Sequence, residues 1–247
     1  MGVGWSGVAD GWAALWGGFA EPAWRALAAA ARVGPGTPAL DVGCGTGEFL
    51  AFLGGLGVPA AGVDPEPEMV ALARSRAPGA DVRVGDAEHL PWPDATFALV
   101  TAVNALQFAG DADDALAELV RVTVPGGCVG VANWAERAHS DLRAIDAALA
   151  AAAGDELPPD GDLRRPGGLE ELLRDGGLDV TGAGLVDVPW SAPDDDGLLR
   201  GVLLGEDPEE AAAAAPAVLA AARPFRTADG GYLFANRFRY AVARKRP

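Results

Sequence analysis

Positive charge is scarce in this chain. Against 35 acidic residues stand 19 basic ones, a single one of which, Lys245, is lysine, and the net charge at neutral pH is −16. Nucleic-acid binding draws much of its affinity from arginine and lysine contacts with phosphates, so this balance argues against DNA or RNA as a partner. Cysteine is nearly missing as well. Cys44 and Cys128 stand in neither a CxxC nor a metal-ligand spacing, so no disulfide framework and no metal site is expected, and both read as small buried residues. No apolar run approaches the roughly 20 residues that cross a bilayer, and the opening MGVGWSGVADGW lacks the basic-then-apolar order of a secretory leader. A cytoplasmic protein without a membrane partner is the expectation. The 247 residues, 50% of them hydrophobic, are enough to bury the core of one α/β domain with insertions.

What the chain does have is concentrated at residues 39–50, ALDVGCGTGEFL. Ala39-Leu40-Asp41-Val42 reads as a buried strand that breaks into Gly43-Cys44-Gly45-Thr46-Gly47 before a helical pattern starts at Glu48. Glycines at 43, 45 and 47 let the backbone turn sharply and leave amides bare at a helix N-terminus, where a ligand can approach. A dinucleotide fingerprint would place its third glycine at position 48; here a carboxylate stands there, and it repels phosphate. Asp41, Glu48, Asp64 and Asp86 together make an acidic site, suited to a ligand with a sulfonium and an ammonium group and no phosphate.

The D-x-G-x-G-x-G pattern of Asp41 to Gly47, with Asp64 at the end of the next strand, resembles motif I of the class I S-adenosylmethionine-dependent methyltransferases. The loop Glu88-His89-Leu90-Pro91-Trp92-Pro93-Asp94 looks like that of the small-molecule enzymes of ubiquinone and menaquinone biosynthesis. The likeness covers about residues 35 to 135 well and the rest in outline. It implies a Rossmann-like, doubly wound, mostly parallel sheet with an antiparallel last strand, and N-terminal helices plus an insertion forming a lid. It also implies a cofactor site made of Asp41, Gly43, Cys44, Gly45, Asp64, Pro65, Met69, Asp86, Ala87 and Asn104. Within that set Asp64 takes the ribose hydroxyls, Asp86 and the Ala87 amide read adenine, and Asn104 lies beside the methionine end.

Taken in order, residues 1–33 read as two short helices separated by Gly17-Gly18, rich in aromatics (Trp5, Trp12, Trp16, Phe19, Trp24) and placed to cover the site. Strands are expected at 60–63, 81–84, 97–103 and 128–133, alternating with helices, which is what a doubly wound parallel sheet requires. Further on, His139 reads as opening an alanine-rich helix to about Ala153, and a sixth strand runs from Leu178 to about Trp190. A single domain over 1–247 is expected, with a cap at 1–33, a cofactor core at 34–134, and the remaining sheet at 135–247. Residues 191–236 are the expected substrate-pocket insertion.

Methyl transfer from a sulfonium has an activated leaving group, so positioning carries most of the catalysis, and effective molarities correspond to roughly 7–11 kcal/mol. A base is required only for a protonated nucleophile. His139 is the first candidate, with His89, Tyr232 and nearby carboxylates behind it. Trp16, Gln107 and Trp134 are expected to contact a small acceptor that is apolar or aromatic, with S-adenosylhomocysteine as the second product. The acceptor, the atom methylated and the oligomeric state stay open. Three rivals stand beside this reading: a fold that binds the cofactor but catalyses a non-methylating reaction such as a cyclisation, a non-catalytic binding protein, and a nicotinamide oxidoreductase.

Overall fold

A computed structural model describes residues 7–247, so Trp5 lies outside the described residues. Helices α1 (Ala9–Leu15) and α2 (Glu21–Ala30) come first, on either side of Gly17-Gly18. Then β1 (Ala39–Val42), α3 (Glu48–Gly55), β2 (Ala60–Asp64), α4 (Pro67–Arg76), β3 (Asp81–Val84), β4 (Phe97–Val103), α5 (Ala112–Val122) and β5 (Thr123–Trp134) alternate. The rest comprises α6 (Arg143–Ala153), α7 (Gly168–Asp175), β6 (Asp179–Asp187), β7 (Trp190–Ala192), α8 (Asp195–Val202), α9 (Pro208–Ala222), β8 (Tyr232–Phe234) and β9 (Arg237–Arg244).

Seven strands form one sheet in the order β3-β2-β1-β4-β5-β9-β6, with β9 antiparallel to both of its neighbours and every other pairing parallel. The apolar runs of β1 and β4 follow from this, because a central parallel strand is covered on both faces. On one face Leu116 and Leu119 of α5 and Leu169 and Leu173 of α7 pack on Val100 and Val129. On the other, Trp24 and Leu27 of α2 and Phe49 and Leu53 of α3 pack on Leu99 and Val242. A separate core, with Ile145, Trp190, Leu198, Val218 and Phe234, joins α6, α8 and α9 to the two-stranded β7-β8 sheet. Asp111 caps α5 as its sequence position implies, accepting the amides of Asp113 and Asp114 at 2.8 and 3.2 Å. No helix among the described residues is long and apolar enough to cross a membrane.

Two expectations need correction here. The strand expected from Leu178 to Trp190 is two: β6 ends at Asp187, the Val188 amide turns to Asn236 O at 2.8 Å, and Trp190 starts a strand in the other sheet. Pro189 stands at the break, where it has no N–H for a ladder. His139 does not open the alanine-rich helix. It closes a short 3-10 turn, Arg137–His139, and the helix begins four residues later at Arg143. At residues 124–127 the expected turn occurs as an irregularity inside β5, where Thr123 pairs with Phe97 but Cys128 with Leu99.

Candidate functional site

A cavity of about 670 Å3 opens beyond the carboxyl ends of β1, β2, β3 and β4, roofed by α1 and the turn after it. That position is the topological switch of the sheet, where the connection from β1 runs one way and that from β4 the other. All ten residues expected at the cofactor line it: Asp41, Gly43, Cys44, Gly45, Asp64, Pro65, Met69, Asp86, Ala87 and Asn104.

The three loop glycines do different work. All have positive φ, +73°, +52° and +86° at Gly43, Gly45 and Gly47, a region disfavoured for side chains with a Cβ. At Gly47 a Cβ would stand 2.7 Å from Ala73 Cα, so this glycine lets α3 sit directly on α4. At Gly43 it would stand 2.4 Å from Ala105 Cβ, which holds the β4 exit against the loop. At Gly45 it would meet only Trp12 Nε1, 3.9 Å away, and would project into the cavity. Gly45 is therefore the one of the three whose Cβ side is left open toward the cavity.

Asp64 ends β2 and is 8% exposed. Its carboxylate already accepts the Gly45 amide at 2.9 Å and the Glu66 amide at 3.0 Å, one on each oxygen, which fixes both the loop and the start of α4. Each oxygen keeps a lone pair with which it can accept a further hydrogen bond. Burial pushes its pKa up, while these two amides pull it down. Asp41, 3% exposed in β1, is pushed up to about 7, mainly by burial, with the hydrogen bond from Thr101 opposing and the Asp64 charge adding. Cys44 is a buried thiol whose pKa burial raises well above its usual value, which disfavours the thiolate. Asn104 has φ +55°, donates its backbone N–H to Ala132 O at 2.7 Å, and accepts from Gln107 Nε2 at 2.7 Å. An asparagine tolerates that conformation better than most residues, and here it turns the chain across the mouth of the crevice.

Several expectations change. Glu48 lines the cavity, yet it is not a bare negative charge: Arg76 pairs with it at 2.7 Å, and the Thr46 hydroxyl lies 2.7 and 2.8 Å from its two oxygens. Of the three expected acceptor contacts, Trp16 and Gln107 line the cavity and Trp134 does not. Trp134 is spent on packing, with ring centroids 5.5 Å from Phe19 and 5.0 Å from Phe238. Nor does His139 line it, because its turn lies beyond the end of β5. Tyr232 is buried in the small sheet and donates to Asp195 at 2.7 Å. His89 is a surface residue, its side chain 85% exposed beside Asp86. The residues not foreseen as lining are chiefly Trp12, Phe19 and Glu88. The aromatic richness of the first segment signalled the first two. Glu88 is fixed by accepting the Asp111 amide at 3.0 Å, a contact across 23 residues with no local signal.

Comparison with known proteins adds a likeness of sequence and of fold. Residues 40–131 match a family model described as a methyltransferase domain. Over 95 residues the chain is 39% identical to the malonyl-[acyl-carrier protein] O-methyltransferase of Serratia marcescens, covering 38% of this chain and 37% of that protein. Over 123 residues it is 35% identical to the demethylmenaquinone methyltransferase of Renibacterium salmoninarum, 49% of this chain and 52% of that one. The chain thus spans little more than half the length of either at most. Among solved structures, the YcgJ protein of Bacillus subtilis superposes with a TM-score of 0.62 over 91% of this chain and 98% of that one, at 17% identity, a likeness of fold alone.

Proposed function

We propose that this chain, which carries a methyltransferase domain at residues 40–131, transfers a methyl group from S-adenosylmethionine to a small apolar acceptor. The observation that carries the reading is the pairing of Gly45 with Asp64: a bare, left-handed loop residue facing the cavity, held by the carboxylate that stands ready for a ribose. The cofactor supplies a methyl group activated by a positively charged sulfur. What the chain supplies is placement. Asp64 would hold the nucleoside, with the loop amides of Gly43, Cys44 and Gly47 taken up by the backbone and that of Gly45 by Asp64 itself; Asp86, Ala87 and the buried Met69 would border the adenine end. Asp41 and Asn104 border the amino-acid end.

The acceptor enters under α1, against Trp12, Trp16 and Phe19, with Gln107 and Phe108 at the mouth. Such pockets are largely hydrophobic with a few polar groups that orient the ligand. Among the described residues that line the cavity, no lysine, arginine, histidine or tyrosine occurs and the ionisable groups are carboxylates and the Cys44 thiol, so orientation carries most of the catalysis and a base, if the acceptor needs one, is a carboxylate. Residues 7–33 serve as the cap and 34–134 as the cofactor core, while 191–236, the expected insertion, lines none of the cavity and backs its wall through the bond from Trp16 to Gly201. Mass spectrometry on reactions with a panel of apolar metabolites tests this. A product heavier by one methyl, with S-adenosylhomocysteine released in equal amount, supports transfer; a product of unchanged mass supports the cyclisation reading.

A further inference from the structure

Trp190 lies outside the cavity and holds a residue that walls it. Trp16, at the end of α1, lines the cavity, and its indole N–H donates to Gly201 O in α8 at 3.0 Å. Trp190, in β7 and 2% exposed, does not line the cavity. Its own indole N–H donates the other way, to Leu15 O at 2.7 Å. Between these two bonds the rings are stacked, centroids 4.3 Å apart and planes 5° from parallel. Reciprocal N–H bonds with a stack between them leave the Trp16 ring little freedom, because turning it breaks both the bond to Gly201 and the stack.

The seam is closed from behind as well. A Cβ on Gly201 would stand 2.5 Å from the Trp190 ring, and one on Gly11 would stand 2.6 Å from Leu204 Cδ1, so glycines let α1, β7 and α8 meet at contact distance. Phe234 backs Trp190 at 5.6 Å. On the cavity side Trp16 meets Phe19 edge-on at 5.3 Å and Trp12 at 6.1 Å, with the planes of the two indoles 19° apart. The result is an aromatic wall whose central ring, Trp16, is presented from the end of α1 and set in place by Trp190 of β7 and Gly201 of α8.

We propose that Trp190 is a positioning residue that sets acceptor specificity: by fixing the plane and depth of Trp16 it selects planar, apolar acceptors that lie against that ring. The proposal rests on the methyltransferase reading of the cavity, in which Trp16 faces the acceptor and Gly45 and Asp64 face the cofactor. Rigid placement matters because an aromatic contact keeps its geometry-dependent gain only while the ring cannot turn away.

The test uses N-phenyl-1-naphthylamine, an uncharged planar fluorophore, titrated into the full chain with and without S-adenosylhomocysteine, alongside calorimetry of S-adenosylhomocysteine itself. Wild type, Trp190→Leu, Trp190→Phe, Trp16→Leu and the Trp16→Leu/Trp190→Leu double variant are compared. The expected result is that Trp190→Leu weakens the fluorophore about tenfold while S-adenosylhomocysteine affinity stays within about twofold. Trp190→Phe, which keeps a ring and loses the N–H, recovers part of that loss. The double variant binds no more weakly than Trp16→Leu, because Trp190 acts through Trp16, which is what a double-mutant cycle isolates. Fluorophore binding unchanged in Trp190→Leu, absent in wild type, or weakened in the double variant by the product of the two single effects overturns the proposal. So does a parallel fall in S-adenosylhomocysteine affinity, since a general loss of structure explains it. A wild type that binds no S-adenosylhomocysteine brings down the methyltransferase reading, and the proposal with it, and the calorimetric arm identifies that case.

Discussion

The Thr101 hydroxyl lies 2.8 Å from Asp41 Oδ1 inside the sheet, where Thr101 is fully buried and Asp41 3% exposed. One hydrogen bond from a neighbouring strand is modest support for a buried carboxylate, and burial wins: the Asp41 pKa is pushed up to about 7. Between about pH 4 and 7 the folded chain therefore keeps a proton that the unfolded chain has lost. Stability must fall as pH rises through that window and level off above it. Three pKa units correspond to roughly 4 kcal/mol as an upper bound for this group, and the upward shift of Asp64 acts in the same direction. Urea unfolding at pH 5.5 and 8 is expected to show the higher stability at pH 5.5, and Asp41→Asn is expected to flatten most of the difference. A wild-type stability that climbs between these values would contradict this assignment.

The same group predicts proton release on binding. A positively charged ligand beside Asp41 favours its carboxylate form, so at pH 7 cofactor binding should expel part of a proton from this site. Calorimetry in two buffers of different ionisation enthalpy measures it. Asp41→Asn should abolish the buffer dependence.

Gly45 and Gly47 should separate binding from folding. Gly45→Ala puts a methyl at the cavity with no atom beyond its chain neighbours nearer than Trp12 Nε1 at 3.9 Å, and its left-handed backbone costs about 1 kcal/mol. It is expected to melt within a few degrees of wild type and to bind cofactor at least tenfold more weakly. Gly47→Ala adds a steric overlap with Ala73, 2.7 Å from its Cα, to the same backbone cost, and is expected to lose about 3 kcal/mol of stability. Thermal melts and binding titrations on the pair check the contrast.

Trp134→Ala should behave as a packing variant. Its ring packs on Phe19, Trp16 and Phe238 without itself lining the cavity, on the side of the wall away from Asp64 and Gly45, so a loss of about 3 kcal/mol in stability is expected with cofactor affinity unchanged. Denaturant unfolding and a binding titration on the same protein decide it.

The core of the fold was legible because its signals are local. The run Ala39 to Val42, the glycines that follow, and the cap at Asp111 each declare a strand, a turn or a helix start within a few residues, and the structure places all of them as read. The end of β6 carried one signal that went unused, Pro189, but the new partner of Trp190, Phe234 in the other sheet, has no trace in residues 178–190. Trp134 and Trp16 look alike in sequence, both large and both near strand or helix ends. Only the tertiary partners, Phe238 for one and the open cavity for the other, divide packing from lining. Glu48 was read only as a carboxylate that repels phosphate, and its pairing was not legible: its cation, Arg76, sits on the next helix, and charge pairing of that kind leaves no periodic trace.

The most direct test of the account is a calorimetric titration of purified wild type and Gly45→Ala with S-adenosylhomocysteine. It predicts a saturable one-site isotherm for the wild type and at least a tenfold loss of affinity in the variant at nearly unchanged melting temperature. No heat with the wild type, or identical isotherms for the two proteins, would contradict it.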